Sequence, residues 1–103
     1  MISGIAKAPL STQPGTNWEY GMSVDLLGRV VEIVSGKRLG DFLQERLFNP
    51  LQMKDTTFSV SADKKSRIAE PFATDPFTKT PIKLLDVTIK PNNDSGGAGA
   101  AGT

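Results

Sequence analysis

The stretch Pro14 to Ser23, PGTNWEYGMS, holds the chain's single tryptophan, Trp18, and its single tyrosine, Tyr20. A phenol titrates near 10, so it can act as a base only where nearby cations favour the phenolate. The rest of the chain raises the stakes on that group. It contains no histidine and no cysteine. A Ser-His-Asp triad, a thiol nucleophile and a Cys/His zinc site therefore cannot be built from these residues alone. Acid-base chemistry falls to tyrosine, lysine or a carboxylate. No cofactor and no metal are expected.

Among the serines, Ser61 alone has a lysine three positions later, Lys64, in SADK. A short motif of this kind matches by chance, and it reads as a loop face with Lys65 and Arg67 rather than as a nucleophile. Lys79-Thr80-Pro81 reads as turn chemistry, because proline removes a backbone donor from any strand that has to lie against a substrate. Gly96, Gly97 and Gly99 lack the lysine of a phosphate loop.

These residues need elements to hold them. Residues 1–22 have no sustained period and contain Pro9, Pro14 and Gly15, which predicts an irregular loop with a turn at Pro14-Gly15. From Ser23 the pattern becomes helical. At 100° per residue Leu26, Leu27, Val30, Val31, Ile33 and Val34 fall within an arc of about 160°, opposite Asp25, Arg29, Glu32 and Ser35. The expectation is a helix over about 23–35 with a broad buried face, Ser23 as N-cap, Asp25 at the positive end of the dipole and Gly36 ending it in the left-handed conformation.

A second helix is expected over about 39–47, where Leu39, Phe42, Leu43 and Leu47 repeat at helical spacing and Asn49-Pro50 stops it. Thr56 to Val60, TTFSV, is β-branched and aromatic enough for a strand. RIAEPF (67–72) and LLDVTI (84–89) flank the turn-rich ATDPFTKTP and predict a small hairpin. Residues 92–103, rich in Gly and Ala, form either a flexible tail or a close backbone approach. The fold class is α+β, mainly helical, within a single partial domain over 1–103.

Composition sets the outer limits. A chain of 103 residues with 38% apolar content is one domain's worth of material. Twelve basic against eleven acidic side chains leave a formal net charge of +1. With no basic run beyond Lys64-Lys65, nucleic acid is not an expected partner. Every apolar stretch is broken by charge within a few residues, so no transmembrane segment and no membrane partner are expected. Lys7 interrupts the weakly apolar start, which does not read as a signal peptide.

Several of these stretches share an order and spacing: PLSTQPGTNWEYGMS, the helix ending in VSGK, LFNPLQMKDTTFSV, RIAEPF and GGAGAAGT. Together they resemble a middle segment of serine hydrolases of the class C β-lactamase, penicillin-binding protein and family VIII carboxylesterase type, closest to the esterase branch. The resemblance runs from Pro9 to Thr103.

It implies a fragment of a β-lactamase-like fold. In that family a tyrosine projects into the active site and moves the proton of the serine nucleophile or the leaving group, and Tyr20 stands at the matching position. Trp18 would anchor the loop in apolar surroundings. Met22 occupies the place of the family's asparagine as a substrate-binding position, which favours esters over lactams. The Ser-x-x-Lys nucleophile motif is missing.

Two readings remain open. One is a hydrolase segment that meets an acyl ester or β-lactam-like small molecule once completed by the missing parts. The other is a non-catalytic helical interaction module. In either case homo-oligomerisation or self-association would cover its apolar surface. Tyr20 itself is either the catalytic phenol or an ordinary loop aromatic.

Overall fold

The computed structural model describes residues 2–69, 72–82 and 86–102. One helical turn, α1 (Ile2–Ile5), opens the chain where an irregular segment was expected. The main element is α2 (Ser23–Ser35), which matches the predicted span. Gly36 ends it at φ 68°, donating its N–H to Glu32 O, in a left-handed conformation that costs glycine little.

The start differs from expectation. Leu26 N–H is bonded to Met22 O at 3.1 Å, so helical bonding begins one residue earlier, and Met22 takes the cap position. Ser23 is already helical and makes no side-chain cap bond. Asp25 lies in the first turn, where a carboxylate suits the dipole.

Next, α3 (Leu39–Leu43) runs directly into a π-helical turn over Gln44–Phe48. There Asn49 N–H reaches back five residues to Gln44 O at 2.9 Å. The wider turn brings Phe48 inward, and it is 5% exposed; Leu39, at 4%, is the other buried apolar side chain among the described residues. The stop before Asn49-Pro50 is where the sequence places it. No helix among the described residues is long and apolar enough to cross a membrane.

Most of the broad apolar face of α2 is exposed. Leu26, Leu27, Val30, Ile33 and Val34 are all exposed, whereas Gly28 is buried and Asp25, Val31, Glu32 and Ser35 are half-buried. The helix turns its largely polar side toward its own chain, contrary to the expected buried face.

The whole molecule carries the same mark. Its accessible surface is 8485 Å², against about 5,600 Å² for a folded monomer of its mass. Its radius of gyration is 16.9 Å, where a compact chain of this length has about 13 Å.

In the second half, the strand expected at TTFSV is reduced to one antiparallel bridge, Thr57 with Ala101, whose two N–H···O bonds are each 2.8 Å. A second bridge joins Thr74 and Pro81 around a turn held by Asp75. The flanking RIAEPF and LLDVTI segments include residues 70–71 and 84–85, which lie outside the described residues.

A 3-10 helix over Ala62–Arg67 sits against the preceding turn through Asp55, which accepts from Lys64 at 2.7 Å and Arg67 at 2.8 Å. The hydrogen bonds from Arg67 and Lys64 hold the Asp55 carboxyl at about 2. The Gly/Ala-rich stretch makes the close backbone approach: a Cβ on Gly96 would stand 2.4 Å from Val24 O.

Candidate functional site

The tyrosine loop is built from short local ties. Gly15, at φ 82°, turns the chain where Pro14-Gly15 predicts it. Thr16 closes that turn with its N–H and its hydroxyl, both on Gln13 O, at 3.2 and 2.7 Å. Ser11 Oγ donates to Glu19 Oε2 at 2.7 Å.

The loop then delivers Tyr20 three residues ahead of α2, with its side chain open to solvent at 87% exposure. Met22, two residues on, is also exposed. Trp18 is 88% exposed and so does not anchor the loop within this chain. Tyr20 and Trp18 stand at alternate positions, as the sequence suggests, but neither is packed.

The two decoy motifs resolve cleanly. Lys64 Nζ is bonded to Asp55 Oδ1 and Lys54 O rather than to the Ser61 hydroxyl, so SADK is a helix start followed by an ion pair. Lys79 sits at φ 59° at the tip of the Asp75 turn, with Thr78 and Thr80 hydroxyls bonded at 2.7 Å.

Sequence reading passed over a polar node at the corner between α2 and α3. The Asp94 side chain is 5% exposed. It accepts from Arg38 Nε at 3.3 Å, from Arg38 Nη2 at 2.5 Å and from Gly40 N–H at 2.8 Å. Burial alone would raise its pKa, but the Arg38 bond and the Gly40 N–H outweigh it and hold the carboxyl below its ordinary value.

Arg38 Nη2 also reaches Pro91 O at 3.1 Å. Glu32 is held low by its bond from Arg29 and by the Leu39 N–H at 3.0 Å. Next to Asp94, Ser95 Oγ donates to Asp25 Oδ1 at 2.5 Å. Asp25, Arg29, Glu32, Arg38 and Asp94 line an open cleft of about 660 Å³. The acidic members are committed to cations, N–H groups or a hydroxyl, so the node holds elements together rather than moving protons. Its one sequence signal was an acid and a hydroxyl directly ahead of a glycine pair, in Asp94-Ser95-Gly96-Gly97.

A family model described as Beta-lactamase matches residues 1–103. The chain belongs to that family. Lovastatin esterase of Penicillium rubens is 44% identical over 70 residues, covering 66% of this chain and 18% of that enzyme. Esterase EstB of Burkholderia gladioli is 41% identical over 68 residues, covering 66% of this chain and 17% of its own. Monacolin J acid methylbutanoyltransferase of Aspergillus terreus is 38% identical over 52 residues, half of this chain and 13% of the transferase.

The chain thus spans less than a fifth of the length of the relatives it matches. Its relatives within the Beta-lactamase family include two named esterases.

Proposed function

We propose that this segment supplies the tyrosine loop of a serine esterase, with Tyr20 as the group that takes the proton from a serine nucleophile or returns one to the leaving alcohol. The observation that carries the reading is the placement of Tyr20. The chain's only phenol stands outward on a loop fixed directly ahead of a long helix, in a chain of this family with no histidine to do the same work.

The nucleophile and its lysine come from a Ser-x-x-Lys outside these 103 residues. The substrate is a carboxylic ester rather than a lactam, because Met22 offers no amide to pair with a substrate amide.

Acyl transfer needs an activated nucleophile and an oxyanion hole. The isolated chain is therefore expected to leave short-chain p-nitrophenyl esters and nitrocefin untouched. Joined to the flanking parts of an esterase relative, it should hydrolyse the p-nitrophenyl ester and do so equally well as Ser61→Ala. Ester turnover by the isolated chain that vanishes with Ser61→Ala would overturn the proposal.

A second reading rests on the exposed Leu27, Val30, Ile33 and Val34. A contiguous apolar helix face drives self-association of the chain when nothing else covers it. Sedimentation separates the two: a concentration-dependent oligomer without any rescue of ester hydrolysis in the joined enzyme favours the interaction module.

A further inference from the structure

We propose that Ser95 and Asp25 are positioning residues for the tyrosine loop, forming a clasp between the 94–97 stretch and the first turn of α2. The inference rests on the catalytic reading of Tyr20. It concerns residues 70 positions apart in sequence that the fold brings together.

The clasp has three parts. Ser95 Oγ donates to Asp25 Oδ1 at 2.5 Å and in turn accepts the Ala98 N–H at 3.2 Å, which fixes the hydroxyl's direction. Gly96 lies flat against the helix backbone: a Cβ there would meet Val24 O at 2.4 Å and Gly28 Cα at 3.3 Å, so no larger residue fits without moving the loop away. Asp94, next to Ser95, is locked to Arg38 and Gly40 at the α2–α3 corner. The clasp therefore grips α2 from a fixed point rather than from a free tail.

The connection to Tyr20 is a backbone one. Leu26, adjacent to Asp25, donates its N–H to Met22 O at 3.1 Å. Met22 is two residues from Tyr20. Holding the first turn of α2 thus holds the residue from which the tyrosine departs, while the phenol itself stays free to meet substrate. General acid-base catalysis depends on hydrogen-bond reach, and a displacement of about 1 Å at a distance from the chemistry costs about 10²-fold.

Two measurements test the clasp. In the chain itself, amide exchange is followed by NMR at Leu26 and, as an internal control, at Gly36, whose N–H caps the far end of α2. Ser95→Ala should speed exchange at Leu26 about tenfold and leave Gly36 within twofold, while Ser95→Thr, which keeps the hydroxyl, should match the parent at both. Unchanged exchange at Leu26, or equal acceleration at both amides, overturns the clasp.

In the joined esterase, Ser95→Ala should lower kcat about tenfold with KM unchanged and the pH profile retained, and Ser95→Thr should restore it. Full kcat in Ser95→Ala overturns the positioning role. If Tyr20→Phe leaves activity intact while Ser95→Ala still frees Leu26, the catalytic reading of Tyr20 fails and the clasp stands as a structural tie.

Discussion

The two sides of α2 behave as though they belonged to different proteins. On one side Asp25, Gly28 and Glu32 meet Ser95, Gly96 and Leu39 through hydrogen bonds and backbone contact. On the other, Leu27, Val30, Ile33 and Val34 face outward, each more than half exposed. Amphipathic helices of self-contained domains do the reverse. The polar side is met from within this chain, whereas the apolar side is largely exposed.

The strongest way to break that comparison is at its polar side. Asp94→Ala strips Arg38 and the Gly40 N–H of their partner. Breaking a buried pair costs about 3–5 kcal/mol, but Arg38 is about one-third exposed, so a loss of about 2–3 kcal/mol is expected in urea unfolding.

The same substitution should change the pH dependence. The Asp94 carboxyl is held below its ordinary value in the folded state. Its contribution is complete above the unfolded pKa of about 4 and fades as pH falls through the lowered one. Parent and variant should therefore converge on acidification, and a gap that widens in acid would contradict the pairing.

A smaller effect is expected at Gly28. An added methyl would come within 2.9 Å of Leu39 Cδ2 and 3.3 Å of Gly96 Cα. Overpacking of this kind costs about 1–3 kcal/mol, partly offset by the roughly 1 kcal/mol that alanine gains over glycine in a helix. Gly28→Ala should thus lose about 1 kcal/mol, as read by the unfolding midpoint.

The apolar side should give the smallest change. Ile33→Glu is expected to move the stability of the monomer by less than about 0.5 kcal/mol, while shifting sedimentation toward the monomer. A large destabilisation would mean that the face is covered after all.

These differences show what the residues alone could and could not convey. The limits of α2, its glycine stop and the halt at Asn49 were legible because they follow from local backbone chemistry. Which side of α2 is buried was not, because a hydrophobic arc reports that a partner exists and not that the partner lies in the same chain. Trp18 was expected to be packed for the same reason and is exposed.

TTFSV carries strand-forming residues, but a strand needs neighbours to pair with, and among the described residues Thr57 alone of the five forms a bridge, with Ala101. The Ser95–Asp25 and Asp94–Arg38 ties were invisible at separations of 70 and 56 residues. The absence of histidine and cysteine left tyrosine, lysine and carboxylates alike as proton carriers; the choice of Tyr20 among them came from the family resemblance, and its role is the proposal made above.

The central claim is that this phenol transfers a proton in ester hydrolysis. Tyr20→Phe in the joined esterase keeps the ring and removes the hydroxyl. Because the side chain is exposed and unpacked here, the melting temperature should hardly move. The account predicts that kcat/KM for a p-nitrophenyl ester falls by about 10²- to 10⁴-fold, the usual contribution of a general acid-base group. A Tyr20→Phe enzyme that folds and retains nearly full kcat/KM would contradict it.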